Sequence, residues 1–151
     1  MDFNQAFRDM LVALNDAEVD YLVVGAYAVA AHGFPRATGD LDIWVRANPE
    51  SAENLLNALT VFGAPMHEVS AADFSSPSIV FQIGVPPGRI DILTDVSGVN
   101  FDAAWANRMT VEIDGVKLSI IGRSDLIANK RATGRPKDIA DLAFLESVKN
   151  D

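Results

Sequence analysis

Asp40 and Asp42 stand two residues apart in the run Asp40-Leu41-Asp42-Ile43-Trp44-Val45. The alternation reads as a β-strand, and side chains two apart on a strand share a face, so the two carboxylates project side by side. Like charges that close repel and raise each other's pKa unless a cation lies between them. The chemistry that suits this pair is a divalent metal. Upstream, Gly25 follows the apolar run Tyr21-Leu22-Val23-Val24 and precedes the small residues Ala26 to Ala31. Glycine permits a tight turn and close approach of a ligand to the backbone. A helix starting there has first N–H groups without intrahelical partners. The stretch from Leu22 to Val45 therefore reads as a phosphate-holding turn set beside a metal-holding strand.

The elements that must position this stretch are legible along the chain. Phe3, Phe7, Met10, Leu11 and Leu14 recur at helical spacing, which predicts an amphipathic helix over 3–17. Asn48-Pro49 is a helix start and Gly63-Ala64-Pro65 its stop, with Leu55, Leu56 and Leu59 on the buried face. Residues 64–77 read as irregular. Strands are expected at Ser78 to Gly84 and Arg89 to Leu93, joined by Pro86-Pro87-Gly88 as a hairpin with Asp91 among apolar neighbours. A short helix follows at Phe101 to Asn107. Asp114-Gly115 joins strands at Thr110 to Ile113 and Val116 to Ile120. Ser124 is read as the cap of a helix running to Thr133 and ended by Gly134. Pro136 starts a last helix with Ile139, Leu142, Leu145 and Val148 on one face. Strands mixed with helices and hairpins indicate an α/β or α+β sheet with helices packed on it.

Composition narrows the function classes. The chain has 151 residues, enough for one domain with a real core, and 49% of them are apolar, which excludes a disordered chain. With no cysteine, disulfides, thiolate metal sites and cysteine catalysis are excluded. The longest apolar run, Tyr21 to Ala31, is too short to span a bilayer, and the N-terminus lacks the pattern of a signal peptide. A cytoplasmic protein with no membrane partner is expected. The net charge of −9 disfavours bulk electrostatic binding of nucleic acid. Neither the Gly-x-Gly-x-x-Gly dinucleotide fingerprint nor a P-loop is present.

The order Val24-Gly25-Ala26, a thirteen-residue spacer over 27–39, then Asp40-Leu41-Asp42-Ile43 resembles the nucleotidyltransferases of the DNA polymerase beta superfamily. Their signature is an apolar residue, Gly, Gly or Ser, a spacer, then Asp-apolar-Asp/Glu-apolar. The inner spelling, His32-Gly33…Arg36-Ala37-Thr38-Gly39-Asp40-Leu41-Asp42, is most similar to the abortive-infection toxin branch and related antibiotic nucleotidyltransferases. The closing segment from Leu126 to Leu142 resembles that of the same branch. Ala26 departs from the signature and removes a hydroxyl contact, though its N–H remains. Leu93 departs as well, standing where some relatives carry a basic residue two places after the third carboxylate.

The resemblance implies a single nucleotidyltransferase domain over 1–151, with a mixed sheet, packed helices and C-terminal helices. It implies transfer of a nucleoside monophosphate from a nucleoside triphosphate to an acceptor hydroxyl, with Mg2+ or Mn2+ on Asp40, Asp42 and a third carboxylate, Asp91, which also takes the acceptor proton. Asp91 read as an ordinary residue would be an edge-strand aspartate paired to Arg89. Gly25, Ala26, Arg36, Thr38, Lys130 and Asp138 are the expected nucleotide-binding residues. Arg36 stands open between a triphosphate contact and a salt bridge, and Thr38 between bracing Asp40 and a turn. Lys130 stands between a phosphate contact and snorkelling. Asp138 either orients Lys130 or favours a helix N-terminus. Lys137 and Asp141 stand open between the Lys-Asp run that flanks the nucleotide in that branch and a helix-surface pair, and His32 reads as a structural histidine at a helix end. Relatives modify tRNA, proteins or small antibiotics, so the acceptor is open. Two rivals are a silent nucleotidyltransferase fold acting as a partner in a toxin–antitoxin pair, and a metal-dependent phosphodiesterase using the same acids.

Overall fold

The computed structural model describes residues 4–34, 39–85 and 87–147. Among them the strands form one six-stranded mixed sheet in the order β3-β4-β2-β1-β6-β5. β1 (Tyr21–Val24) is buried at all four positions, as a strand covered on both faces must be. It pairs antiparallel with β2 (Asp40–Val45) and parallel with β6 (Val116–Ile120). β2 pairs parallel with β4 (Arg89–Leu93), which carries β3 (Val80–Ile83) antiparallel on its outer side. β5 (Met109–Ile113) closes the other edge, and its turn to β6 has positive φ at both Asp114 and Gly115, the geometry that a two-residue hairpin demands.

The helices form where caps and apolar faces dictate. In α1 (Gln5–Asp16), Asn4 Oδ1 accepts from Phe7 N at 2.9 Å, and Phe7, Met10, Leu11 and Leu14 are buried. α1 packs on α3 (Pro49–Phe62), whose cap Asn48 accepts from Ser51 N and whose end is Gly63 at φ 94°. α2 (Gly25–Ala31) follows β1 without a linker. On β2 the period of two divides the strand: Leu41, Ile43 and Val45 enter the core, while Asp40, Asp42 and Trp44 take the other face. Trp44 is covered there by Phe101 of α5 (Phe101–Ala106), ring to ring at 5.0 Å.

Several sequence expectations need correction. Residues 64–77 are not wholly irregular. Met66–Glu68 makes a 3-10 turn, and α4 (Ala71–Phe74) is nucleated by a capping box between Ser70 and Asp73, with Phe74 buried beneath it. The strand expected from Ser78 is confined to Val80–Ile83. α6 (Arg123–Thr133) begins at Arg123 after Gly122, so Ser124 lies within its first turn and caps nothing. In α7 (Pro136–Ser147) the buried residues are Asp138, Asp141 and Leu145, whereas Ile139 is 61% exposed. The helix is therefore rotated to turn carboxylates inward, for a reason found on α6. Val148 lies outside the described residues. Among the described residues no helix is long and apolar enough to cross a membrane.

Candidate active site

Strand register assembles the site. Asp42 is paired with Val24 on one side and Asp91 on the other, and Asp40 is opposite Arg89. Partners in register share a face, so Asp40, Asp42, Arg89 and Asp91 form one polar patch on an otherwise apolar sheet. β4 lies between β2 and β3, so Asp91 is on an interior strand, not at an edge. Gly25 follows Val24 and therefore sits beside Asp42. Its φ is +68°, and a Cβ built there would overlap Asp42 Oδ2. Glycine is required twice, for the backbone conformation and for the approach of the carboxylate.

Charge in the patch is unbalanced. Arg89 Nη2 donates to Asp40 Oδ2 at 3.0 Å and to Asp91 Oδ2 at 3.2 Å. Asp91 is 7% exposed, and its Oδ1 is buried with no hydrogen-bond partner among the described residues. The Asp42 carboxyl is pushed up to about 6, first by burial, then by the charges of Asp91 and Asp40 and the hydrogen bond shared with Asp91, with Arg89 pulling the other way. Three carboxylates against one guanidinium leave a surplus of negative charge facing a cleft of about 330 Å³.

The opposite wall of the cleft comes from α6 and α7. Lys130 is 4% exposed and donates from Nζ to Asp138 Oδ1 at 3.1 Å and meets Asp141 Oδ2 at 3.2 Å. Asp138 is fully buried and also receives Thr133 Oγ1 at 2.6 Å, Arg135 N at 3.1 Å and Arg135 Nε at 2.8 Å. Burial pushes its carboxyl up, but the bonds from Arg135, Thr133 and Lys130 prevail and hold it well below the usual range. This network explains the rotation of α7: its acidic residues turn inward to meet the buried Lys130. Asp141 accordingly serves Lys130 and is no surface partner of Lys137, which is exposed and lines the cleft. Lys130 does not snorkel, because its ammonium ends inside this network.

Gly25, Ala26, Asp40, Asp42, Asp91 and Lys130 thus line one cleft, and Asp138 lies behind Lys130. Arg36 and Thr38 lie outside the described residues. His32 Nε2 contacts Ile121 O at 2.8 Å, which ties α2 to the strand end after β6. Sequence reading did not single out Arg89 or Arg135 as cleft residues, and it left Lys137 between a nucleotide-flanking Lys-Asp run and a helix-surface pair; all three line the cleft. Arg89 had a visible signal, since it stands two places before Asp91 and shares its strand face. Arg135 had none, because its place depends on how the α6–α7 turn folds against the sheet.

The donor set suits a hard divalent cation, being all carboxylate with one buried oxygen of Asp91 left without a protein donor. The side chains as placed do not form a ready coordination group of three among the described residues, since Arg89 bridges Asp40 and Asp91. A metal would be held by Asp40, Asp42 and Asp91 once that bridge yields.

Comparison with known proteins follows the same lines. Residues 2–148 match a family described as nucleotidyltransferase of unknown function (DUF6036). No curated protein matches the chain. Among solved structures, the lincosamide antibiotic adenylyltransferase LnuA with lincomycin bound is 16% identical, covering 97% of this chain and 98% of its own at a TM-score of 0.63. A protein of Thermotoga maritima described as a candidate nucleotidyltransferase is 19% identical, covering 94% and 89% at 0.58. An antigenic nucleotidyltransferase-like protein of Paracoccidioides brasiliensis is 19% identical, covering 93% and 74% at 0.52. At such identities the likeness is one of fold, and it is the nucleotidyltransferase fold.

Proposed function

The chain belongs to the DUF6036 family of nucleotidyltransferases of unknown function, and from that premise we propose that it transfers a nucleoside monophosphate from a nucleoside triphosphate to an acceptor hydroxyl, releasing pyrophosphate. The observation that carries this reading is the register that sets Gly25, Asp42 and Asp91 in one row facing a cleft whose other wall is cationic. Asp40, Asp42 and Asp91 would hold Mg2+ or Mn2+, which when bound supplies neutralisation of charge on the triphosphate and on the leaving oxygen. Asp91, its Oδ2 fixed by Arg89, presents its other oxygen to take the acceptor proton. Lys130 faces the cleft but is already balanced by two carboxylates, so its first task is to hold α7 in place. Ala26 offers only its backbone to the substrate, where a serine would add a hydroxyl.

The abortive-infection toxin-like subgroup and a partner of toxin–antitoxin type belong to this proposal too. One observation favours the silent alternative: Arg89 supplies Asp40 and Asp91 with an internal counter-ion, so the patch persists without metal. The deciding experiment incubates the protein with each labelled ribonucleoside triphosphate, magnesium and a cell lysate. Pyrophosphate release with label retained on tRNA, protein or a small molecule supports transfer and names the acceptor class. Release of phosphate-ester products without transfer indicates a phosphodiesterase, and no turnover with any triphosphate indicates the silent fold.

A further inference from the structure

A second cavity of about 300 Å³ adjoins the first, and Gly25, Asp42, Lys130 and Arg135 line both. These four residues mark the passage between the two chambers. Asp42 stands on the sheet side of it, and Arg135 in the turn between α6 and α7. The chambers differ in chemistry. The first adds Arg89, Lys137 and the carboxylates of Asp40, Asp91 and Asp141, while the second adds one carboxylate, Asp95, among neutral and apolar side chains such as Leu93, Val96, Ser97 and Asn129. A substrate with a highly charged end and a less charged end would lie across the passage.

Of the two cations at the passage, Lys130 is consumed by buried Asp138 and Asp141. Arg135 is different, with its side chain 54% exposed. Nε donates to Asp138 Oδ2 at 2.8 Å and Nη2 to Asp138 Oδ1 at 3.3 Å. A guanidinium carries five N–H donors in a rigid plane. This side-on pairing uses two of them, fixes the plane, and leaves the outer edge, Nη1 with the second hydrogen of Nη2, without an acceptor among the described residues. Asp42 is near enough for its charge to act on Arg135.

We propose that Arg135 is a further catalytic residue, whose outer N–H edge grips the phosphate undergoing bond exchange from across the passage opposite Asp42. This rests on the nucleotidyl-transfer reading. In that transfer the acceptor oxygen bonds to the α-phosphorus of the triphosphate. The bond from that phosphorus to the bridging oxygen breaks, its electron pair leaves with pyrophosphate, and the acceptor proton passes to Asp91. Negative charge grows on the leaving oxygen, and a planar cation already fixed by Asp138 meets it without reorganising.

The test titrates the magnesium complex of inorganic triphosphate, which has no base or sugar, into wild type, Arg135→Gln, Arg135→Lys and Arg131→Gln by calorimetry, with thermal melts to establish folding. Arg135→Gln should bind about 10- to 100-fold more weakly, the range for charge-assisted hydrogen bonds. Arg135→Lys should fall between, since it keeps the charge and loses the fork. Arg131→Gln should bind as wild type, because Arg131 is occupied at the surface by Glu146. Equal affinity in Arg135→Gln and wild type would overturn the assignment and leave nucleotidyl transfer standing, and so would an equal loss in Arg131→Gln, which would mean a diffuse field. No triphosphate binding by the wild type would overturn both. If Arg135→Gln does not fold, Arg135→Lys carries the decision: wild-type affinity there would show that the planar fork grips nothing.

Discussion

Asp42 bears most of the electrostatic cost of the site. Burial and the neighbouring carboxylates push its carboxyl from an ordinary 3.8 up to about 6 in the folded chain. Between those values the folded chain binds more protons than the unfolded one, so this group's contribution makes stability fall as pH rises through the window and remain lower above it. Asp42→Asn removes the penalty. In metal-free buffer it should be more stable than wild type at pH 7, by of order 1–2 kcal/mol after discounting for partial solvent screening. The difference should vanish below about pH 4. Urea unfolding of both proteins at the two pH values checks this, and a variant less stable at pH 7 would show that Asp42 holds the fold together and does not strain it. Gly25→Ala acts on the same atom from the other side. The strained φ alone costs about 1–3 kcal/mol, and the added methyl must push the Asp42 carboxylate away. Thermal melts should show that loss, and manganese binding followed by electron paramagnetic resonance should weaken in the same variant.

At the scale of elements, the least expected feature is the pairing of α6 with α7 through charge. Helices usually meet across an apolar stripe. Here Lys130 on α6 takes Asp138 and Asp141 on α7, and Leu145 is the buried apolar residue of that helix. Breaking a buried pair by removing one partner leaves charge uncompensated and commonly costs about 3–5 kcal/mol. Lys130→Ala should therefore destabilise strongly in chemical denaturation. This exceeds the small effect that a surface or purely substrate-facing lysine would give. A melting temperature close to wild type would show that the network is dispensable for the fold. Asn48 is the ordinary counterpart at this scale. It caps α3 and lines neither chamber of the cleft, and Asn48→Ala should cost about 1 kcal/mol by the same measurement while leaving triphosphate binding unchanged.

For the whole molecule, the sheet order β3-β4-β2-β1-β6-β5 has a functional consequence. It brings Gly25, Asp42, Asp91 and Lys130, distant in sequence, to one cleft. A ligand that spans the sheet wall and the α6–α7 wall binds only the folded chain and stabilises it by mass action, about 2.7 kcal/mol at a hundred times its dissociation constant. Magnesium with the accepted triphosphate should raise the melting temperature of wild type, and chelation should reverse the shift. Asp42→Asn, although more stable on its own, should show little of it. An equal shift in both proteins would place metal and triphosphate elsewhere.

Much of this was legible in the chain because its causes are local. The period of two over Asp40–Val45, the cap at Asn48, and the turns at Gly63 and Asp114-Gly115 depend on residues within a few positions of one another. The capping box of α4 between Ser70 and Asp73 is local as well, yet the reading of 64–77 as irregular missed it. The shared face of Asp40 and Asp42 follows from strand geometry alone. The sequence also determined that Gly25 ends a buried strand, and its order of motifs indicated the fold class. What it could not determine was pairing between distant segments. Asp91 lies beside Asp42, and not one position away on the other face, because the register of β2 and β4 sets these two residues opposite each other. Ile139 is outside and Asp138 inside because a lysine on another helix needs counter-charge. Arg89 bridging two carboxylates and Arg135 lining the same cleft as Asp42 are likewise outcomes of tertiary assembly. Burial and Coulombic energy are properties of three-dimensional neighbours, and those neighbours exist only once the sheet order and the helix rotations are set.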